Sequence, residues 1–427
     1  MLYLPTRLRK KSVMPESDFS NQSVFSRRRF LRTAAIAAAG GAFSSRILAA
    51  AAGEAVQMPF ANGERRMAVF PQKRPMIVLT SRPPQLETPF SVFNEGVLTP
   101  NDAFFVRYHL AGIPTSIDPD EFKLEVKGSV KSPQSFSLDD LRKQFNPVEL
   151  VAVNQCSGNS RGFFQPRVPG GQSGNGAMGN ARWLGVRLKD VLEKAGINAD
   201  AKQVAFRGLD HPVLETTPAF AKALDVDHAL DGEVMLAYEM NGQDLPMLNG
   251  YPLRLIVPGY YGTYWVKHLH EITVLDKDFV SFWMDTAYRV PDNTGHCVEP
   301  GAPAGKTVPI SRFDVRSFIT SLVDGQKIAT GKTQVIRGIA FDGGYGIDSV
   351  KFSADDGKTW REAALGQDLG KYSFREWTCE FAPKTAGDYM LKVCASNRIG
   401  QTQPTSPLWN PTGYMRNVIE STHVMAT

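Results

Sequence analysis

Short strand-like runs follow one another from Phe104 to the end of the chain, and this pattern constrains the fold more than any other feature. In the first part of the chain the runs are FFVRYHL, FKLEVKGSV, VELVAV, QVAFRGL, VMLAYEM, LRLIVPG and HEITVL. Two helix-like segments interrupt them: SLDDLRKQF has Ser137 at the N-cap position, and RLKDVLEKAGI ends at Gly196, a C-cap signal. No glycine-rich nucleotide-binding motif links a strand to a helix. We therefore predict an α+β domain rather than a doubly wound parallel sheet.

A second series of strands follows an irregular, glycine- and proline-rich segment at residues 285–308. The runs there are RSFITSL, QVIRGIAF, SVKFSAD, WREAAL, REWTCEF and DYMLKVCAS, and the Asp-Gly pair of ADDGKTW predicts a hairpin. Regular short strands are typical of an all-β sandwich of the immunoglobulin type. We predict one domain over residues 53–300 and this sandwich over 301–427. Residues 53–100, rich in proline, arginine and polar side chains, predict an extended lead-in without regular structure.

The amino-terminal 52 residues predict an export signal. A basic cluster, SRRRFLR, precedes a short apolar stretch at residues 34–43 and small residues near 49–52. The apolar stretch is well below the ~20 residues that span a bilayer, which favours a cleaved signal over a permanent anchor. Arg27 and Arg28, followed by Phe30 and Leu31, fit a twin-arginine signal, which sends folded proteins to the periplasm. An ordinary secretory signal or a basic tail is the alternative.

The positive net charge does not indicate a nucleic-acid partner. The formal charge is +5, from 48 Lys and Arg against 43 Asp and Glu. Nine of the basic but only two of the acidic residues lie in the first 50 positions, so the remainder is close to neutral. No basic and aromatic cluster follows later in the chain.

Four cysteines are too few for a disulfide framework in an exported protein. Cys379 and Cys394 lie in neighbouring strand-like runs and either pair or stay reduced. Cys156 differs, because the sequence NQCSGNSR places it after an apolar run and before a Gly/Asn turn. Such turns orient backbone N–H groups toward an anion, and Arg161 adds a guanidinium five residues on. Inert packing of a buried thiol is the alternative interpretation.

Three further motifs combine polar and aromatic residues in unusual ways. FFVRYH places Arg107 and His109 on the same face of a strand. VPGYYGTYWVKHLH, at residues 257–270, has several aromatic residues near Lys267. FWMDTAYRVPD places Tyr288 and Arg289 between a helix-like run and a proline. Taken singly, each has a structural explanation: a surface pair, a tight aromatic turn or a packed tyrosine.

Together these motifs resemble the sulfite oxidase family of molybdenum enzymes, particularly the bacterial periplasmic sulfite dehydrogenases. FFVRYH, NQCSGN, LAYEMNG, PGYYGTYWVKHL and TAYRVP occur in the order of that family, from about Pro89 to the end. The resemblance implies a sulfite-oxidase-type molybdopterin-binding domain, then an immunoglobulin-like Mo-co dimerisation domain. It also implies a molybdenum–molybdopterin cofactor with Cys156 as the protein ligand of the metal. A soft thiolate suits such a thiophilic metal.

The resemblance also assigns site residues by motif. Cofactor-binding residues carried over in this way are Phe105, Val106, Arg107, His109, Cys156, Asp210, Asn249, Arg254, Trp265, Val266 and Lys267. Residues implied to be catalytic are Tyr288, Arg107, Arg161 and His109, with Arg416 from WNPTGYMRN as a further candidate. Sulfite is a small dianion, and forked guanidinium donors suit its recognition. The chain departs from vertebrate members at Tyr108, where they have Asn, and at Asn249, where they have His.

The implied activity is oxidation of sulfite to sulfate, with electrons passed to a separate periplasmic c-type cytochrome. The sequence has no CxxCH motif, and no stretch is available for a cytochrome b5-like domain. We expect a homodimer or a heterodimer with a haem subunit. One alternative is a molybdopterin-dependent reductase of S-oxides, such as protein methionine sulfoxide, or of nitrate. Another is a metal-free binding protein; a cysteine hydrolase has less support, because no histidine is obviously placed to activate the thiol.

Overall fold

Strands dominate residues 54–427, which are the residues that the computed structural model describes. The twin-arginine signal predicted at residues 1–52 lies outside them. The strands are β1 (Ala55–Gln57), β2 (Glu64–Ala68), β3 (Met76–Ser81), β4 (Pro84–Glu87), β5 (Val106–Arg107), β6 (Leu124–Gly128), β7 (Gln134–Phe136), β8 (Pro147–Gln155), β9 (Met178–Arg187), β10 (Gln203–Gly208), β11 (Ala221–Asp225), β12 (Met235–Met240), β13 (Gln243–Asp244), β14 (Arg254–Ile256), β15 (Leu269–Leu275), β16 (Arg289–Pro291), β17 (Thr307–Pro309), β18 (Arg316–Ile319), β19 (Gln326–Ile328), β20 (Gln334–Phe341), β21 (Ile347–Ser353), β22 (Arg361–Glu362), β23 (Ala364–Leu365), β24 (Arg375–Phe381), β25 (Gly387–Asn397) and β26 (Ser421–Ala426).

Helices are short and few in this part of the chain. The α-helices are α1 (Leu138–Gln144), α2 (Leu188–Ala195), α3 (Val226–Ala229) and α4 (Phe282–Asp285), and 3-10 turns occur at Phe90–Asn94, Arg161–Phe163, Met247–Asn249 and Gly262–Tyr264. Within residues 54–427, no helix combines the length and hydropathy needed to cross a bilayer.

Both predicted helices form where their capping residues indicate. Ser137 accepts a hydrogen bond from the backbone N–H of Asp140, and the Asp140 carboxylate accepts one from the N–H of Ser137, which is a capping box. Helix α2 ends at Gly196 in the left-handed conformation, with φ 71°. Its buried residues, Leu188 and Leu192 among them, pack into the main core.

The segment at residues 53–100 is more regular than its composition predicts. Strands β1 to β4 form an antiparallel meander that β5 completes as a five-stranded sheet. Strands β1 and β2 are short and contain no buried residue, as in ERRMA of β2, so they lack the apolar alternation that identifies a strand in a sequence. The pairing of β4 with β5 sets Gln85 opposite Arg107. The predicted run FFVRYHL itself forms only the two-residue strand β5.

Two further sheets form the rest of the first domain. One has the order β11-β10-β15-β6-β7, and the other the order β13-β12-β9-β8 with β14 also paired to β12. Strand β8 pairs with β9 along its whole length, from Pro147 to Gln155. Residues Val151 to Gln155 of β8 are all buried, so its end lies deep in the domain.

The carboxy-terminal domain consists of two facing sheets, β18-β20-β24-β23 and β19-β26-β25-β21-β22. Trp377, Phe352 and Leu391 belong to the core between them. The other face of the first sheet packs on the first domain, where Phe318 lies 5.6 Å from Phe90, ring centre to ring centre. The domain therefore contacts the region around the end of β8.

The hairpin predicted at Asp-Gly forms, since Asp356 and Gly357 have φ of 63° and 84° between the paired strands β21 and β22. Cys379 and Cys394 are on different sheets of the sandwich, in β24 and β25. Both thiols are free, as are those of Cys156 and Cys297. The option of a disulfide between Cys379 and Cys394 is therefore contradicted by the structure.

Candidate active site

Cys156 lies where the chain leaves strand β8 and turns sharply. Its backbone N–H donates to the carbonyl of Ala177 at 2.9 Å, and its own carbonyl accepts from the N–H of Asn159 at 3.0 Å. Ser160 has a left-handed backbone with φ 69°. The turn holds the thiol at the end of a rigid, buried strand.

Two cavities meet at this thiol. The residues common to the walls of both are Phe105, Arg107, Cys156 and Tyr288. The inner cavity extends into the first domain, and the outer one has a volume of about 450 Å³. A group bound to Cys156 from the inner side is therefore accessible from the outer side.

The structure brings most of the predicted site residues together. Those that line the inner cavity are Phe105, Arg107, His109, Cys156, Asp210, Asn249, Arg254, Trp265, Val266, Lys267 and Tyr288. Val106 and Arg161 line the outer cavity.

Arg416, the further candidate for the anion site, lines neither cavity. Its guanidinium pairs with Glu420 at 3.3 Å and lies over the ring of Phe163 at 5.4 Å. The structure therefore does not bring Arg416 together with Arg107 and Arg161 beside the thiol.

Several polar atoms of the inner cavity have no hydrogen-bond partner among the described residues, although they are buried. They are both amide atoms of Asn154, the hydroxyls of Ser157 and Thr263, and Nε of Arg254. A buried polar group without a partner costs about 1–3 kcal/mol, so this arrangement fits a polar ligand that supplies the missing partners. Sequence reasoning did not single out Asn154, Ser157 and Thr263, although they lie within the motifs around Cys156 and Lys267.

Cations gather at the inner end of this cavity. Burial lowers the pKa of Arg254 to about 9 and holds the pKa of Lys267 well below its usual range. Burial raises the pKa of Asp210, the one carboxyl group in the cavity wall, although Lys267 opposes that effect. Positive charge in excess of carboxylate fits a ligand with a phosphate group.

Asn249 is linked to a cation that the sequence did not reveal. Lys73 is 5% exposed and donates to Oδ1 of Asn249 at 2.5 Å, while Nδ2 of Asn249 donates to the Phe105 carbonyl at 3.1 Å. Burial lowers the pKa of Lys73 to about 7, and Asp102 partly opposes that shift. Both ends of the Asn249 side-chain amide thus bind protein groups, and the backbone carbonyl of Asn249 accepts from Nη1 of Arg254 at 2.9 Å.

Tyr288, His109 and Arg107 form a hydrogen-bonded set on the wall shared by both cavities. The Tyr288 hydroxyl is 2.5 Å from Nε2 of His109, and Nη2 of Arg107 donates to it at 3.4 Å. Burial raises the pKa of Tyr288, and burial together with the charge of Arg107 holds the pKa of His109 well below 6.5. The phenol therefore keeps its proton and shares a hydrogen bond with a neutral imidazole, whose ring stacks on Phe220 at 3.8 Å.

Arg161 is held in the outer cavity by the carboxy-terminal domain. Its Nε donates to the carbonyl of Thr412 at 3.1 Å, and its guanidinium lies 4.8 Å from the ring centre of Tyr414. Tyr414 in turn stacks on Tyr288, 5.5 Å away. Residues from both domains therefore form the wall that faces the thiol.

His268 supports the cavity wall and makes stability depend on pH. Nδ1 of His268 donates to the Tyr251 carbonyl at 2.5 Å, so Nε2 accepts from the Tyr108 hydroxyl at 2.7 Å. Burial lowers the pKa of His268 to about 3. Because the unfolded chain takes up this proton near pH 6.5 and the folded chain does not, stability is lost as the pH falls from about 6.5 toward 3.

Replacement of His268 by glutamine is expected to weaken that pH dependence. Glutamine can keep both hydrogen bonds but does not titrate, and one histidine accounts for up to ~1.4 kcal/mol per pH unit in this window. Thermal unfolding midpoints at pH 7, 6 and 5 measure the effect, and the drop with falling pH should be smaller in the variant. An equal drop in both proteins would show that His268 takes up its proton in the folded state.

Comparisons with known proteins identify this arrangement. The "Oxidoreductase molybdopterin binding domain" family matches residues 109–283, and the "Mo-co oxidoreductase dimerisation domain" family matches residues 307–426. The fold and the site thus define a molybdopterin-binding oxidoreductase. Among solved structures, the sulfane dehydrogenase SoxCD from Paracoccus pantotrophus has the same fold, with a TM-score of 0.70, 23% identity, and coverage of 89% of this chain and 88% of that one.

Curated relatives narrow the class. The mitochondrial sulfite oxidase of Homo sapiens is 34% identical over 374 residues, 83% of this chain and 66% of the relative. The sulfite oxidase of Gallus gallus is 32% identical over 81% of this chain and 77% of the relative, and that of Arabidopsis thaliana is 30% identical over 75% and 83%. The chain belongs to the sulfite oxidase family. It spans about two thirds of the length of its mammalian relatives.

The family confirms two predictions from the sequence: an α+β molybdopterin domain followed by an immunoglobulin-like sandwich, and a molybdenum–molybdopterin cofactor. The site fits that cofactor. Within residues 54–427, no three His, Cys, Asp or Glu side chains are placed to bind a metal by themselves. A metal at Cys156 therefore needs ligands from a bound group, and the pterin dithiolene is such a group. The polar atoms without partners and the cations Arg254 and Lys267 would hold the pterin and its phosphate.

Proposed function

We propose that this chain is a sulfite dehydrogenase, which oxidises sulfite to sulfate at a molybdenum–pterin centre. The observation that carries the proposal is that Arg107, Arg161 and Cys156 line one cavity of about 450 Å³. Two guanidinium groups beside the metal ligand suit a small sulfur oxyanion, because each guanidinium can donate two parallel hydrogen bonds to the oxygens of one anion. Relatives named sulfite oxidase, at 30–34% identity, support the same substrate.

The chain's own residues would position the substrate and move a proton. The bound cofactor supplies oxygen-atom transfer and takes up two electrons. Arg107 and Arg161 would hold the anion. The Tyr288 hydroxyl forms hydrogen bonds with His109 and Arg107 on the wall that both cavities share. Oxidation of sulfite by water releases protons, and His109 is a neutral acceptor within reach of Tyr288.

Replacement of Tyr288 by phenylalanine tests this arrangement. The ring and its stacking on Tyr414 remain, but the hydroxyl shared by His109 and Arg107 is lost. We expect kcat/KM for sulfite to fall roughly 100-fold or more, as for removal of a group that assists proton transfer. Steady-state kinetics at pH 6 to 9 measure it, and an unchanged kcat/KM across that range would exclude a role for the hydroxyl.

The activity itself is tested on one preparation of the mature protein. Molybdenum is measured by elemental analysis, and sulfite-dependent reduction of ferricyanide and of cytochrome c is measured on the same sample. Nitrate and methionine sulfoxide, supplied with a reduced dye, are the comparison substrates. Metal with sulfite oxidation supports the proposal, and metal with reduction of either comparison substrate alone points to the reductase alternative. Absence of molybdenum from a host that makes the cofactor contradicts both.

We further propose export by the twin-arginine route to the periplasm and electron transfer to a separate c-type cytochrome. The motif around Arg27 and Arg28 supports the first, and the lack of a CxxCH motif in the sequence supports the second. The sandwich, matched by a dimerisation-domain family, supports assembly with a second copy or with a haem subunit. Cell fractionation and copurification from the native host test the location and the partner.

A further inference from the structure

Arg316 of the carboxy-terminal sandwich extends into the first domain and contacts the loop that carries Cys156. The side chain is 1% exposed. Its Nη2 donates to the Ser160 hydroxyl at 3.1 Å, and its Nη1 donates to Oε1 of Gln155 at 3.5 Å. Gln155 immediately precedes Cys156 and Ser160 follows it by four residues, so one guanidinium bridges both sides of the loop.

Both contacted residues belong to the network that shapes the loop. Oε1 of Gln155 also accepts from Nδ2 of Asn159 at 3.3 Å, and Oδ1 of Asn159 accepts from the Ala177 N–H at 3.0 Å. Ala177 accepts the backbone hydrogen bond of Cys156. A buried chain of hydrogen bonds therefore connects Arg316 with the residue that carries the thiol.

Ser160 is fixed from the other side. Its hydroxyl donates to Oδ1 of Asn175 at 2.5 Å while it accepts from Arg316, and its N–H donates to the Gly174 carbonyl at 2.6 Å. Ser160 also has the left-handed backbone that turns the chain after the cysteine. The side chain of Arg316 thus holds the residue at which the loop reverses.

The charge of Arg316 is balanced within its own domain. Its Nη2 also pairs with Glu420 at 3.0 Å, and Glu420 pairs with Arg416 at 3.3 Å. A buried ion pair contributes little to stability compared with an apolar replacement. Stability alone is therefore a weak reason for an arginine in this position. Its contacts across the domain boundary, in contrast, reach Gln155 and Ser160 of the loop that carries Cys156.

We propose that Arg316, balanced by Glu420, is a positioning residue for the metal-ligating loop, so that the sandwich domain helps to retain the cofactor in addition to any part in assembly. The inference rests on the assignment of Cys156 as the metal ligand. Groups that orient a metal ligand typically change metal affinity or activity 10- to 100-fold when they are removed. The guanidinium acts through Gln155 and Ser160, not by contact with substrate.

The test is the rate at which the purified holoenzyme loses molybdenum during incubation below its unfolding temperature. Arg316→Lys keeps the charge for Glu420 but loses the fork that reaches both Gln155 and Ser160. We expect it to lose molybdenum roughly tenfold faster than the wild type. Arg375→Lys is the matched control, because Arg375 is a largely buried sandwich arginine paired with Asp368 at 3.3 Å and has no contact with the loop. It should lose molybdenum at the wild-type rate.

A second variant separates positioning from general destabilisation. Ser160→Ala removes one target of Arg316, and the double variant should lose molybdenum no faster than the faster single variant, since both changes break one connection. The proposal would be overturned if Arg316→Lys lost molybdenum at the wild-type rate. It would also be overturned if the fold increase in the double variant equalled the product of the fold increases in the two single variants. If Arg316→Lys does not fold, the Ser160→Ala variant decides: molybdenum loss at the wild-type rate in that variant would by itself overturn the proposal. The wild-type arm, with its metal content and sulfite oxidation, reports separately on the proposed function.

Discussion

Replacement of Cys156 by serine is expected to abolish sulfite oxidation. The change is nearly isosteric and keeps the backbone hydrogen bond to Ala177, so the turn should persist. A serine hydroxyl is a harder donor and stays protonated at neutral pH, so it cannot take the place of a thiolate toward molybdenum. Turnover should fall below detection, and the molybdenum content per chain should fall with it.

The measurement combines elemental analysis with sulfite-dependent reduction of ferricyanide. Cys297→Ser is the control, because Cys297 is a second partly exposed, free thiol that lines neither cavity. It should keep both metal and activity. Wild-type activity in Cys156→Ser would remove the basis for the site and leave the thiol as packing.

Replacement of Arg107 by glutamine is expected to raise KM for sulfite. Arg107 lines both cavities beside Cys156 and donates to the Tyr288 hydroxyl. A hydrogen bond between charged groups contributes ~1.5–3 kcal/mol, which corresponds to a roughly 10- to 100-fold change in binding. Glutamine keeps one donor but has neither the charge nor the fork, so kcat should change less than KM.

Steady-state kinetics over a wide range of sulfite concentrations, at fixed ionic strength, resolve the two parameters. Arg207→Gln is the matched control, since Arg207 is an exposed arginine of strand β10 away from both cavities. A KM in Arg107→Gln that equals the wild-type value would show that the anion is bound by other groups.

Features that depend on near neighbours could be predicted from the sequence. The capping box at Ser137, the left-handed Gly196 and the Asp356-Gly357 hairpin each follow from the chemistry of a few adjacent residues. The site motifs were recognised through family resemblance, and the structure gathers most of them around Cys156. Spacing alone did not join them, because the residues come from separate sheets.

What the sequence did not reveal depends on contacts between distant segments. Lys73 lies in a stretch that predicted no regular structure, and its place becomes clear only when it meets Asn249. Arg416 and Glu420 are four residues apart, a spacing that brings side chains together on a helix. Their segment is not helical, so the ion pair between Arg416 and Glu420 was not evident from the sequence.

The outer cavity has walls from the amino-terminal meander, the cysteine loop, the segment at Tyr288 and the stretch around Tyr414. These pieces become neighbours only after both domains have docked. The inner cavity differs, because all of its lining residues lie between Phe105 and Tyr288 of the first domain. The cofactor side can therefore form within one domain, whereas the outer wall that faces the thiol exists only in the docked molecule.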